Sequence, residues 1–153
     1  MASLEHKIPP PVVALLVLPV MWLLSTALPR VEVSSQLRVA VAVCIALAGL
    51  GFSSAGALAF RRAKTTVNPL RPEQATALVT SGVYRVTRNP MYVGLLLGLL
   101  AWAVVLSSPL SLAGPVAFIA YINRFQIDAE ERVLVAKFGA DYASYRSRVR
   151  RWL

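Results

Sequence analysis

The feature that most constrains the fold is the stretch of residues 39–60, an apolar run without a single charged side chain. An α-helix needs about 20 apolar residues to cross the hydrocarbon core of a bilayer. Hydrophobic residues make up 57% of the chain and charged residues only 15%. Since a soluble domain of this length carries about a quarter charged residues, the composition predicts an integral membrane protein.

Three further apolar segments predict an all-α, polytopic membrane protein with about four transmembrane helices. Ser107, Ser108 and Pro109 separate the last two segments. Because proline cannot continue a helix, we expect a tight helical hairpin between the third and fourth helices. The whole chain, residues 1–153, then forms a single membrane domain. Its transmembrane segments are expected at about residues 12–28, 39–60, 91–106 and 110–127.

The distribution of basic residues predicts the orientation. The loop 61–90 and the C-terminal region 128–153 each carry six Lys or Arg residues, whereas Arg30 and Arg38 lie between the first two segments. Because loops rich in Lys and Arg remain in the cytoplasm, we expect both termini there and place the chain in a bacterial inner membrane. The net charge is +9, but the Lys and Arg residues lie on either side of the apolar segments and do not form one basic face of a soluble domain. We therefore expect no nucleic acid partner.

Short cytoplasmic helices are expected outside the membrane segments. In the loop, Ala75, Leu78 and Val79 are spaced for a helix on the membrane surface, with Glu73 in its first turn. In the C-terminal region, Gly139 is a natural end for one helix. A second helix then carries four apolar or aromatic residues on one face, namely Tyr142, Tyr145, Val149 and Trp152.

Small residues at four-residue spacing predict close helix packing. Gly51 and Ala55 form such a pair in the second segment, and Gly94 and Gly98 form another in the third. In membranes this spacing lets helix backbones approach each other.

The chain has few cysteine and histidine residues, and this excludes several kinds of functional site. Cys44 is the only cysteine and His6 the only histidine, so we expect neither a disulfide nor a bound metal. The chain has no G-x-G-x-x-G, P-loop or H-E-x-x-H motif. A hydrolase triad is excluded as well, because a hydroxyl nucleophile has no usable histidine partner.

The polar residues concentrate at two places. Residues 81–94 set a basic, proline-broken turn against the start of the third apolar segment, with Arg88 and Tyr92 at the depth where a membrane meets water. Glu130 and Glu131 follow the fourth segment. If both ends of the hairpin are cytoplasmic, the two clusters approach each other at one membrane face and form a pocket.

Two interpretations of the acidic residues remain open from spacing alone. In the first, Asp128 caps a helix and Glu131 completes a capping box. In the second, one of the two glutamates, Glu130 or Glu131, faces a ligand.

The segment TSGVYRVTRNPMYVG, followed later by EERVLVAKFGADYASYRSRVRRWL, resembles the isoprenylcysteine carboxyl methyltransferase and phospholipid methyltransferase superfamily. The resemblance covers roughly residues 64–153, and the N-terminal part is similar only as generic membrane helices. It implies an integral membrane enzyme that uses S-adenosylmethionine, forms S-adenosylhomocysteine and has no Rossmann fold.

The resemblance also implies roles for individual residues. The implied cofactor-binding residues are Arg88, Asn89, Pro90, Met91, Tyr92, Gly94, Glu130, Glu131, Tyr142 and Tyr145, and the implied catalytic residues are Arg148, Arg151 and Glu131. Two positions depart from the family pattern, which often has histidine in place of Asn89 and proline in place of Arg150. Asparagine does not titrate near neutral pH, so the turn is better suited to binding than to proton transfer.

The leading hypothesis is therefore an isoprenylcysteine carboxyl methyltransferase-like enzyme that acts in the bilayer on a lipophilic or small acceptor. A phospholipid N-methyltransferase and a thiol S-methyltransferase are alternatives within the superfamily. A non-enzymatic membrane scaffold that binds anionic lipid is the alternative of a different class. The sequence leaves open whether a carboxylate, thiol or amine accepts the methyl group, and it leaves open the oligomeric state.

Overall fold

The computed structural model describes residues 7–64 and 76–153, and all regular elements in these two ranges are helical. The all-α prediction is therefore confirmed. Two short 3-10 turns and one π-helical turn connect the α-helices. The five α-helices are α1 (Pro10–Ser25), α2 (Ser35–Arg62), α3 (Pro90–Leu106), α4 (Ala113–Ile122) and α5 (Asp128–Arg148).

Helix α2 is the one helix of the described ranges that is both long and apolar enough to cross a bilayer. Ser34 caps its N-terminus by accepting a hydrogen bond from the Leu37 N–H at 3.3 Å, and Arg61 and Arg62 lie in its last turn. Cations at this end favour the helix because they complement its dipole. Helices α1 and α3 are apolar but shorter, with 16 and 17 residues. The structure thus supports one membrane span by length and composition, and the four-span arrangement stays a prediction.

The predicted hairpin after the third segment is present. Helix α3 ends at Leu106, and the next residue, Ser107, takes up a left-handed conformation with φ 51°. The 3-10 turn Pro109–Leu112 then leads into α4. Leu99 of α3 and Phe118 of α4 are buried in the same apolar cluster, which also includes Met21 of α1.

The fourth predicted segment, residues 110–127, is not a single α-helix. It contains the 3-10 turn, α4 and a π-helical turn, Asn123–Ile127, that continues directly into α5. Asp128 therefore has helical residues on both sides and caps nothing. The capping-box interpretation of Asp128 and Glu131 is wrong, because a helix that continues through this point has no free N–H groups to cap.

Helix α5 also differs from the prediction at its end. Gly139 interrupts it with φ 49°, as expected for a glycine that breaks a helix. The second half ends at Arg148, and Val149 is extended. Placing Val149 and Trp152 in a helix is therefore wrong, since the last residues turn back towards the start of α3.

The predicted surface helix is absent from the part of it that the structure describes. Glu73 and Ala75 lie outside the described residues, whereas Leu78 and Val79 belong to irregular chain. Val79 is buried in a second apolar cluster with Tyr84 of the 3-10 turn Gly82–Arg85. Leu78 and Val79 are apolar because they pack in this cluster, whereas the prediction placed them against the membrane surface.

Helices α2 and α3 approach each other closely at Gly94. A Cβ atom at this position would overlap the Ser53 Oγ and lie 2.6 Å from the Gly49 carbonyl oxygen. By contrast, Gly51 and Gly98 face open space. The packing prediction is therefore right for Gly94 and wrong for Gly51 and Gly98.

We expect Gly94→Ala to lower the free energy of unfolding by about 1–3 kcal/mol, because an added methyl group overpacks the contact between α2 and α3. Gly98→Ala is the matched control on the same helix, and it should leave the stability unchanged or raise it by less than about 1 kcal/mol. Thermal unfolding of both variants in one detergent measures the difference. Equal melting temperatures for the two variants would contradict the close approach at Gly94.

Candidate functional site

Polar side chains gather where α3 begins, at the end of the helices opposite the α3–α4 hairpin. Arg88 and Asn89 directly precede Pro90, whose fixed φ and missing N–H suit the first turn of a helix. The Thr87 hydroxyl accepts a hydrogen bond from the Asn89 N–H at 3.1 Å, which shapes the turn. Met91 is half-buried, and Pro90, Tyr92 and Gly94 are buried.

Glu131 of α5 lies between two arginines. Its Oε1 is 2.8 Å from Arg88 Nη2, and its Oε2 is 2.8 Å from Arg151 Nη2. Arg151 also pairs with Asp128 at 3.0 Å. The Arg88 and Glu131 side chains are only 10% and 8% exposed, so water screens this pair weakly. Charge-assisted hydrogen bonds of this length are among the strongest in proteins.

The ionisation of Glu131 follows from these contacts. Burial alone would raise its pKa, but hydrogen bonds from Arg151 and Arg88 outweigh burial and hold the pKa below the ordinary value. The hydrogen bond to Glu131 in turn raises the pKa of Arg151. Glu131 is thus a stable anion at neutral pH and a poor proton acceptor, whose contacts position two cations.

Glu130 has a different environment, since successive helical residues point about 100° apart. Its Oε1 accepts hydrogen bonds from the Tyr92 hydroxyl at 2.5 Å and from Gln126 Nε2 at 2.6 Å. Burial raises the pKa of Glu130 to about 7; these two hydrogen bonds oppose the rise, and the charge of Glu131 adds to it. Both of these hydrogen bonds are accepted by the same oxygen, Oε1.

The residues that follow α5 return to the start of α3 and bind it mainly through backbone carbonyls. The Arg88 N–H donates to the Arg150 carbonyl at 2.9 Å, and the Arg88 guanidinium donates to the Val149 carbonyl at 2.6 Å. Asn89 Nδ2 donates to the Arg151 carbonyl at 2.9 Å. These bonds hold the side chain of Arg151 beside Glu131.

Trp152 fixes the tail at a second point. Its indole Nε1 donates to Asn123 Oδ1 at 3.1 Å, at the first residue of the π-helical turn. The Trp152 ring also packs against the cluster that contains Tyr92 and Ile127. The C-terminal tail therefore connects α3, the π-helical turn and α5 around the glutamates.

The two tyrosines of α5, Tyr142 and Tyr145, are buried next to the polar cluster. Tyr142 and Tyr145 are 2% and 4% exposed, and the Tyr145 hydroxyl donates to the Tyr84 carbonyl at 2.7 Å. Burial raises the pKa of Tyr142 to about 12, and it also raises the pKa of Tyr145. Both remain neutral phenols, and their contacts lie in the second apolar cluster.

The structure separates Arg148 from the other predicted site residues. Arg148 is exposed, and its Nε donates to the Ser144 carbonyl one turn earlier in α5 at 3.1 Å. Gly94 is also set apart from the polar cluster, because its close neighbours are Ser53 and Gly49 of α2. The structure brings together Arg88, Asn89, Tyr92, Glu130, Glu131 and Arg151.

Sequence reasoning missed three contributors. Gln126 lies four residues before Glu130, so both side chains are on one helix face. This spacing of an amide and a carboxylate could have predicted their hydrogen bond. Thr87 donates to the Arg151 carbonyl at 3.1 Å. The third contributor is the set of backbone carbonyls of Val149, Arg150 and Arg151. Every residue has a backbone carbonyl, so the sequence does not show which ones accept hydrogen bonds.

The donor and acceptor atoms of this cluster indicate what kind of ligand the site suits. Arg88 Nε is buried and has no hydrogen-bond partner among the described residues, and the Glu130 carboxylate accepts at Oε1 from Tyr92 and Gln126. A ligand with both an acceptor and a donor, such as the amino acid end of a nucleoside–amino acid conjugate, suits the Arg88 donor and the Glu130 carboxylate. Within the same ranges, no group of three or more His, Cys, Asp or Glu residues is arranged to hold a metal ion.

Comparisons with known proteins identify several similar chains. An uncharacterized protein from Haemophilus influenzae is 51% identical over 63 residues, which cover 41% of this chain and 100% of that protein. Protein-S-isoprenylcysteine O-methyltransferase B from Arabidopsis thaliana is 36% identical over 91 residues, 58% of this chain and 45% of the plant protein. A probable protein-S-isoprenylcysteine O-methyltransferase from Oryza sativa subsp. indica is 37% identical over 91 residues, 58% of this chain and 46% of that protein.

The chain thus spans less than half the length of these plant relatives. No solved structure gives a significant match. Residues 37–141 match the family model for phospholipid methyltransferase, and this range contains α3, α4 and both glutamates. Since the match covers more than half of the chain, this protein belongs to the phospholipid methyltransferase family.

Proposed function

We propose that this protein is an integral membrane methyltransferase that transfers the methyl group of S-adenosylmethionine to a lipophilic or small acceptor. The observation that carries the proposal is the convergence of Arg88 and Arg151 on Glu131, next to the pair formed by Tyr92 and Glu130. A scaffold that only binds anionic lipid needs exposed cations. It has no use for two arginines that are paired with a buried carboxylate.

The membrane arrangement is part of the proposal. Helix α2 crosses the bilayer, and α1, α3 and α4 with the π-helical turn supply the other three spans. The start of α3 and both termini lie in the cytoplasm, because Arg30 and Arg38 face the other side while the loop and tail are rich in arginine. In this orientation a water-soluble cofactor reaches the polar cluster from the cytoplasm, and a lipophilic acceptor reaches it from the bilayer.

The residues present fit S-adenosylmethionine. When bound, this cofactor supplies a methyl group that is already activated on a sulfonium, so the protein has to align the reactants and exclude water. The Glu130 carboxylate is the acceptor that would hold a donor group of the cofactor, and the buried Arg88 Nε is the donor that would meet its carboxylate. Tyr92 and Gln126 orient Glu130. Glu131 acts through the arginines that it positions.

Arg151 is the residue we assign to the acceptor. Its side chain is 28% exposed, although it is held by Glu131 and Asp128. A cation in this setting can orient a carboxylate acceptor, in keeping with the O-methyltransferase names of the plant relatives. An amine or thiol acceptor has to lose a proton instead, so it would need a base in addition to this cation.

Binding of S-adenosylhomocysteine to the purified protein, measured by isothermal titration calorimetry, tests the proposal. We expect saturable binding to the wild type and a loss of about 10- to 100-fold in affinity for Arg151→Ala, because Glu131 then loses one of the charged partners that keep it in place beside Arg88, the residue proposed to meet the cofactor. Arg148→Ala is the matched control, three residues earlier and exposed, and it should bind like the wild type. No binding by the wild type at millimolar ligand would favour the scaffold. Incubation with methyl-labelled cofactor and carboxylate, amine or thiol acceptors then identifies the acceptor.

A further inference from the structure

A groove of about 550 Å³ lies at the opposite ends of α2 and α3 from the polar cluster. One wall is a stripe of α2, formed by Leu37, Val41 and Ile45 at helical spacing. The other wall comes from α3, where Leu100 and Val104 lie one turn apart. Val31, Val33 and Leu112 also belong to the apolar lining.

Two polar groups interrupt this lining. Arg38 Nη1 is 3.3 Å from the Ser107 hydroxyl, and no carboxylate of the described residues lies within ion-pair distance of Arg38. Ser108 is 4% exposed, and its buried hydroxyl has no hydrogen-bond partner in the described chain. A buried hydroxyl without a partner is unfavourable by the free energy of its lost hydration. The groove thus offers an unpaired cation and an unsatisfied donor above two apolar walls.

We propose that this groove binds one anionic phospholipid, with the phosphodiester at Arg38 and one acyl chain between α2 and α3. Arg38 directly precedes the charge-free residues 39–60, so it lies at headgroup depth while Val41 and Ile45 lie at acyl-chain depth. The guanidinium matches phosphate oxygens in shape and charge, and the Ser108 hydroxyl donates to an oxygen of the headgroup or ester. The site rests on the membrane location proposed above and does not depend on methyl transfer.

An anionic lipid satisfies all three features of the groove together. Its acceptor-rich headgroup meets both Arg38 and Ser108, and its chain covers Val104 and the α2 stripe. A zwitterionic lipid of the same chain length fills the apolar walls equally well, but its own cation opposes Arg38. Selectivity for headgroup charge is therefore the property that distinguishes this site from ordinary annular lipid.

Native mass spectrometry of the detergent-purified chain tests this site, with phosphatidylglycerol and phosphatidylcholine of identical acyl chains as the probes. We expect one phosphatidylglycerol to be retained preferentially by the wild type. Arg38→Gln should reduce that preference by about tenfold, because a charged hydrogen bond is lost. Arg30→Gln removes the other basic residue of this end, exposed and outside the groove lining, and should keep the wild-type preference.

Ser108→Ala locates the lipid within the groove. It should weaken retention of phosphatidylglycerol by about fivefold through the loss of one neutral hydrogen bond. In lipid-free detergent its melting temperature should not fall below that of the wild type, because the hydroxyl has no protein partner to lose. Equal effects of Arg38→Gln and Arg30→Gln, an unchanged preference in Arg38→Gln, or equal thermal stabilisation by inorganic phosphate would each overturn the proposal.

Discussion

Glu131→Gln should lower the free energy of unfolding by about 3 kcal/mol, because it leaves two partly buried guanidinium groups without their counter-charge. Arg88 and Arg151 both hold Glu131 at 2.8 Å. Arg88 also donates to the Val149 carbonyl of the tail, and the Arg151 carbonyl accepts a hydrogen bond from Asn89. Loss of the carboxylate therefore loosens the tail as well as the ion cluster, and we expect binding of S-adenosylhomocysteine to fall below detection.

Chemical and thermal unfolding at neutral pH measure the loss, and Asp141→Asn is the control because Asp141 is an exposed acid on the same helix. The pH dependence gives a second readout. Because the pKa of Glu131 is held below its ordinary value by the two arginines, its stabilising effect is present above that ordinary value and is lost on acidification. The Gln variant should lack this acid-sensitive component. A variant as stable as Asp141→Asn would rule out a structural role for the cluster.

Glu130→Gln should raise the stability of the ligand-free protein at alkaline pH while it weakens cofactor binding. Burial raises the pKa of Glu130 to about 7, so the folded protein binds this proton more tightly than the unfolded chain. As the pH rises from the ordinary carboxyl range towards 7, this group therefore destabilises the fold by about 3 kcal/mol. Glutamine removes that effect, and its advantage over the wild type should vanish in acid.

The same substitution should abolish the pH dependence of ligand binding. If a donor of the ligand meets ionised Glu130, wild-type affinity should rise about tenfold between about pH 6 and pH 8, through a pKa of about 7. Titration calorimetry of both proteins between about pH 6 and pH 8 measures whether ligand affinity depends on pH through Glu130. Equal affinity of the two proteins at every pH would show that Glu130 does not meet the ligand.

The apolar segments and the serine–proline break carry enough information to predict the long-range geometry of the site. A hairpin after residue 106 forces the start of α3 and the residues after α4 to the same end of the molecule. For this reason the approach of Arg88 and Tyr92 to the two glutamates was predictable without a structure, and the observed contacts agree with it. The role of these residues in catalysis remains a prediction.

The different environments of the two glutamates were not predictable from spacing. They depend on the helical phase at Asn123–Ile127, where a π-helical turn adds about one residue to the turn and rotates the faces of α5 relative to α4. No composition rule marks that turn in NRFQI. The misplaced surface helix has a similar cause, because apolar spacing around Leu78 does not reveal whether a membrane or a second apolar cluster covers it.

The hydrogen bonds between the C-terminal tail and the start of α3 determine which residues are interchangeable there. Arg150 contributes its carbonyl oxygen, and its side chain is exposed. A proline at position 150 would keep the same carbonyl, and a ring N–H of a histidine in place of Asn89 could donate as the amide does. Both departures therefore preserve the bonding. At position 150 the sequence can therefore change while the hydrogen bond to the Arg88 N–H is kept, because the backbone and not the side chain makes the contact.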